Sequence, residues 1–192
     1  MGPPDPHRRR ATVGDLLALP ADRAAEVVAG EIVEKAAPSF AHGNAQSGLS
    51  GALFGFRGPP GGASGPGGWW IATEVEVEYE SHEVYRHDVV GWRRDRVADR
   101  PTDRPVRARP DWVCEILSSS NAANDTVRKL RVLHGHGVPH YWLLDPDAGT
   151  LRVLRWTRDG YLEVLSATAD ETVRAEPFDA VALSLSAILG VP

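Results

Sequence analysis

The sequence predicts a single α/β domain, a mixed β-sheet with helices packed to one side. Three observations carry this. Asp111–Leu117 alternates like a strand and is followed by a helix-spaced run, Asn124–Leu133. Pairs of alternating runs lie before and after it, at 69–79 with 83–92 and at 151–156 with 161–165. The chain has 192 residues, 42% of them hydrophobic, enough for one full core without a second domain.

Taken in order, residues 1–11 read as a disordered lead and 12–192 as the domain. Thr12–Leu19 is a short helix with Thr12 as N-cap, Asp15 at N3 and Pro20 as its stop. Glu26–Glu34 holds two β-prone runs about Ala29 and Gly30, a hairpin. Ser39–Phe56 repeats apolar residues at helical spacing (Ala45, Leu49, Ala52, Leu53, Phe56), and the Gly- and Pro-rich segment 57–68 is a turn. In the next strand Val75, Val77 and Tyr79 share one face and Glu74, Glu76 and Glu78 the other; its neighbour, Glu83–Trp92, carries Asp88 among Val84, Tyr85, Val89 and Val90. On Asp111–Leu117, Trp112, Cys114 and Ile116 point one way and Asp111, Val113, Glu115 and Leu117 the other. The polar turn SSSNAAN leads to a helix opened by Asn124 or Asp125, with Val127, Leu130, Val132 and Leu133 as its buried stripe and Gly135 and Gly137 at its end. Tyr141–Asp145, a PDAG turn, Leu151–Trp156 and Tyr161–Leu165 form an antiparallel meander, and Ser186–Leu189 closes the chain as a short helix.

Cys114 is the single cysteine, so no internal disulfide forms, and its apolar strand makes it a small buried hydrophobe; a reducing, cytoplasmic setting is the expectation. No apolar run approaches a membrane span. A net charge of −5 argues against coating nucleic acid by bulk electrostatics. Between Arg86 and Arg109, however, eight Arg face four Asp, and Arg94, Arg96 and Arg100 are candidate phosphate contacts in an exposed loop flanking the site.

An acid inside an apolar strand is expensive unless it has a partner. Asp88 and Glu115 are two such acids on strands that can be neighbours, an oxygen-only pair that suits Mg²⁺ or Mn²⁺ better than Zn²⁺. Lys129 stands out by composition, since only two of the 21 basic residues are Lys, and Lys is the compact ammonium that Arg does not replace where a point charge is handled. Placed beside a metal, it would orient the attacking water and offset charge on phosphorus. The competing reading is a surface Lys paired with Asp125 one turn earlier.

GEIVEKAAPSFAHGNA, YRHDVVGW, RPDWVCEILSSSNAANDTVRKL and GVPHYWLLDPDAGTLRVLRW occur in an order and spacing that resembles the bacterial Uma-two family of endonucleases, within the PD-(D/E)XK superfamily. The resemblance implies a restriction endonuclease-like α/β fold, a mixed β-sheet core flanked by helices. It implies Asp88 as the strand aspartate, Glu115 as the second acid and Lys129 as a lysine migrated to the following helix, because position 117 is Leu. Asp125, Glu31 and His42 match further polar positions of the family as auxiliary site residues. The implied activity is Mg²⁺- or Mn²⁺-dependent hydrolysis of nucleic acid, DNA ahead of RNA, with a homodimer as the candidate assembly. Four positions depart from the family pattern: Ala29 for Asp, His87 for Pro, Leu133 for Tyr and His140 for Glu. Two alternatives stay open. One is a nuclease-fold module that binds nucleic acid or protein without cutting. The other is a metal-free hydrolase using Asp88 and Glu115 as an acid/base pair.

Overall fold

The computed structural model describes residues 9–20, 22–62, 65–118 and 124–191. Most of the expected disordered lead lies outside the described residues; its last part is tied down, with Ala11 N–H bonded to Gly30 O at 2.7 Å. α1 (Val13–Leu17) is capped by Asp15, whose carboxylate accepts from Thr12 N–H at 2.8 Å. β1 (Ala25–Val28) and β2 (Glu31–Glu34) form the expected hairpin. Its turn takes φ +52° at Ala29 and +80° at Gly30, the left-handed pair that a tight two-residue hairpin requires.

α2 (Phe40–Ala52) starts at the Ser39 cap and buries His42, Ala45 and Leu49. β3 (Trp69–Glu80) and β4 (Glu83–Arg93) are a long antiparallel hairpin, and β5 (Trp112–Ile116) is buried along its whole length. A π-helical turn, Asn124–Lys129, runs into α3 (Leu130–Gly135). β6 (His140–Asp145), β7 (Thr150–Thr157) and β8 (Gly160–Thr168) make the expected meander. β9 (Thr172–Val173) pairs with β10 (Leu183–Ser184), and α4 (Leu185–Leu189) ends the fold. Two-residue strands are too short to show a period, which is why β9 and β10 were not expected.

The main sheet runs β2-β1-β4-β5-β6-β7-β8, with β3 also on β4. Among the described strands β5 and β6 are the one parallel pair, because their connection crosses over through α3. That crossover overturns the expectation of helices to one side. α2 and α4 cover the face of Cys114, Ile116 and Trp142, whereas α3 covers the face of Val113, Tyr141 and Leu143.

Two local features shape the site. The π turn, bonded i→i+5, takes more residues per turn than an α-helix and so shifts the phase of the helix that follows. Val127, expected in the buried stripe, is 48% exposed, while Lys129 and Leu133 turn inward. On β4, Val89 packs with the α2 side, yet His87, two residues away, bonds to Glu115 and Tyr79 on the α3 side. β4 therefore changes phase at Asp88. Opposite it on β3, Glu74 marks the same flip with φ +55°.

Candidate active site

β3 pairs with nearly all of β4, so β1 and β5 share the other edge. β1 takes it at Val84 and β5 at Val89–Gly91, leaving a gap over residues 85–88. Side chains complete the hydrogen bonding that strands leave undone there. Arg86 N–H donates to Glu26 Oε1 at 2.8 Å, Arg86 O accepts from Lys35 Nζ at 2.8 Å, and Asp88 Oδ2 accepts from Ile116 N–H at 2.7 Å. Asp88 thus stands in for a ladder carbonyl where β4 and β5 diverge.

Two linked clusters meet in this gap. On the α2 side, Asp88 Oδ1 lies 2.8 Å from Lys35 Nζ and 3.5 Å from His42 Nε2. Gln46 Nε2 donates to Asp88 O and Glu74 Oε1, and Arg86 Nε donates to Glu74 Oε2. On the α3 side, Lys129 Nζ lies 2.9 Å from Glu26 Oε1 and 3.1 Å from Glu115 Oε1, and 5.5 Å from the centre of the Tyr85 ring. His87 is wholly buried, with Nδ1 2.6 Å from the same Glu115 oxygen and Nε2 2.8 Å from Tyr79 Oη. Glu115 Oε2 is buried and has no hydrogen-bond partner among the described residues.

Burial pushes the Glu115 carboxyl up to about 8, against the pull of Lys129. Burial, with Lys129 nearby, holds His87 down to about 3. His87 is therefore neutral. Burial also keeps the Tyr79 phenol protonated, and the neutral imidazole carries one proton, so of the His87 contacts to Tyr79 Oη and Glu115 Oε1 the ring donates in one and accepts in the other. Asp88 goes the other way. Burial alone would raise it, but the His42 hydrogen bond and the Lys35 charge hold it well below the usual carboxylate range. The hydrogen bond to Asp88 raises His42.

Of the residues singled out from sequence, the fold brings Asp88, Glu115, Lys129 and His42 to one gap. Asp88 and Glu115 sit where the β4–β5 ladder would continue, each with its own set of partners. Glu31 is exposed on β2, paired with Val28, two strands out from β4. Asp125 belongs to the π turn and its side chain lies outside the described residues. The SSSNAAN turn also falls largely outside them.

Arg94, Arg96 and Arg100 are not at the gap. Their loop leaves the far end of β4, where Arg94 sits 3.4 Å over the Trp70 ring and Arg96 binds both oxygens of Asp111. Lys129 is 1% exposed and lies between Glu26 and Glu115, so it is not a surface lysine.

Sequence reasoning missed Glu26, Lys35, Glu74 and His87. Lys35 carried the same signal as Lys129, being the other lysine of an Arg-rich chain. Glu26 sits among four consecutive buried β1 residues, so no alternation marked it. Glu74 looked like one of three exposed strand glutamates.

A mixed sheet of this order with α2 and α3 on opposite faces is a nuclease fold. It is shared by a structure described as "a putative nuclease belonging to DUF820" from Anabaena variabilis, at 21% identity and a TM-score of 0.67, covering 93% of this chain and 97% of that one. The family model described as "Putative restriction endonuclease", Uma2, matches residues 13–187, and the chain belongs to that family. No curated protein matches significantly. Among the described residues, no helix is long and apolar enough to cross a membrane.

Proposed function

We propose that the protein is a divalent-metal-dependent endonuclease whose centre is the gap between β1 and β5 on β4. The observation that carries this reading is Glu115 Oε2, a buried oxygen with no hydrogen-bond partner among the described residues, in the same gap of β4 that holds the Asp88 carboxylate on its other side. An unpaired oxygen at this depth is costly unless a cation completes it. The donors fit Mg²⁺ or Mn²⁺: Asp88 and Glu115 supply hard oxygens, and one ligand atom each from His42, Glu74 and Asp88 lies within 4.8 Å of the others. In the group of His42, Glu74 and Asp88 there is one imidazole and no cysteine, which argues against a structural zinc site.

A bound metal supplies Lewis-acid polarisation of the scissile phosphate. The chain's own residues prepare the site. Ile116 N–H and His42 orient Asp88. His87 and Lys129 hold one oxygen of Glu115 and leave the other free to bind. The Lys129 charge, fixed between Glu26 and Glu115, favours the ionised form of Glu115 that a metal needs. Lys129 thus acts through Glu115 rather than by touching a phosphate. The substrate is nucleic acid, with DNA as the first choice given the family's description.

The test is Mn²⁺ titration by calorimetry together with nicking of duplex DNA. Wild type should bind and cut, Asp88→Asn and Glu115→Gln should each lose both, and cleavage that persists in EDTA would refute the reading. If metal binds with no cleavage of any DNA or RNA, the binding-module alternative is favoured instead.

A further inference from the structure

We propose that the Lys35 ammonium is the resident counter-ion of Asp88, and that a divalent cation takes its place there only by displacing it. The inference rests on the metal-dependent reading above and adds a residue which that reading does not use. Lys35 Nζ lies 2.8 Å from Asp88 Oδ1 and 4.0 Å from Glu74 Oε2, and it donates to Arg86 O at 2.8 Å. It therefore sits among the ligand atoms that Asp88, Glu74 and His42 offer a metal.

Two cations there repel each other and compete for one carboxylate oxygen. With Nζ 2.8 Å from Oδ1, a Mg²⁺ ion at a ligand distance of about 2.1 Å from the same oxygen would lie no more than about 5 Å from the ammonium. The oxygen lone pairs facing Lys35 are also ones a metal would use. The two lysines differ in their freedom to leave. Lys129 is 1% exposed and held between two carboxylates, whereas the Lys35 side chain is 13% exposed, on the segment just after β2, with a path to solvent. Lys35 keeps Asp88 compensated while no metal is present, at the cost of weaker metal binding.

The chain has only these two lysines, which makes the test direct. Full-length protein is acetylated with and without saturating Mn²⁺, and the two sites are read by mass spectrometry. Lys35 should become severalfold more reactive with Mn²⁺, while Lys129 stays protected. In calorimetric titrations Lys35→Met should bind Mn²⁺ at least about tenfold more tightly than wild type, and Lys35→Gln, the choice if the Met variant does not fold, should shift the same way. Unchanged Lys35 reactivity, or equal or weaker Mn²⁺ affinity in the folded variant, overturns the displacement while leaving the metal site standing. Absence of Mn²⁺ binding in wild type and variants alike overturns the metal reading and this inference together.

Discussion

Glu115 and His87 share a hydrogen bond with no access to water, and burial pushes each toward its neutral form. The folded protein keeps a proton on Glu115 up to about pH 8, whereas the unfolded chain releases it near 4.5, so stability falls as pH rises through that window. For His87 the sign is reversed. The unfolded chain takes up a proton near 6.5 and the folded one refuses it down to about 3, so stability is lost as pH falls through that range. Metal-free protein should be most stable between these limbs, at about pH 5 to 6.5. Thermal melts in EDTA should show the alkaline limb flattened in Glu115→Gln and the acid limb retained; an unchanged alkaline limb would place its origin elsewhere. Lys129 adds a second expectation. Removing a buried cation leaves Glu26 uncompensated and Glu115 short of a partner, so Lys129→Ala should cost about 3–5 kcal/mol in urea denaturation as well as activity. A fully stable but inactive variant would instead mean that the lysine serves chemistry alone.

The elements that carry these residues are set by backbone irregularities more than by regular repeats. The phase change at Asp88 and Glu74 lets one strand offer His87 to the α3 side and Asp88 to the α2 side. On the segment after β5 it is Val127 that departs from the expected register, at 48% exposed, while Lys129 faces the Glu115 strand as that register also placed it. α2 brings His42 and Gln46 to Asp88 only because it lies close against α4. At Gly48 a Cβ would fall 2.2 Å from Ile188 O, a backbone atom that cannot swing away. Gly48→Ala should therefore cost about 1–3 kcal/mol by forcing the helices apart. Because His42 rides on α2, Mn²⁺ affinity should weaken too, and calorimetry on the folded variant checks it. A variant as stable as wild type would show that the contact yields.

Across the whole molecule, the Arg-rich loop closes the sheet as well as adding charge. It runs back along the outer edge of β3, where Val106 N–H donates to Glu76 O at 2.8 Å and Glu78 N–H to Val106 O at 2.9 Å, covering an edge that would otherwise be open to another chain. Arg104 and Arg107 pair with Glu76 and Glu78, and Arg96 with Asp111. These guanidiniums are engaged with the protein's own acids. Arg100 is exposed. Arg96→Ala should lower the melting temperature by leaving the 4%-exposed Asp111 short of a partner. Arg100→Ala should leave stability alone, and only if the loop touches nucleic acid will it weaken duplex binding in a salt-dependent way. Equal melting temperatures for both variants would remove the structural role of Arg96.

Much was legible in order along the chain. The hairpin at Ala29–Gly30, the β3–β4 pair, the faces of β5 and the closing meander follow from alternation and turn chemistry, which act between residues close in sequence. Asp88, Glu115 and Lys129 were legible too, because polar groups in apolar surroundings, and a rare residue type, are anomalies that a one-dimensional reading detects. What joins them was not. Glu26, Lys35 and His87 reach the site through β1 and β5 sharing one edge of β4, a long-range pairing that no local period encodes. The exposure of Val127 goes with a π turn that breaks the very period used to assign buried faces. Local chemistry decided which residues had to be partnered, and the division of one strand edge between two neighbours decided by what.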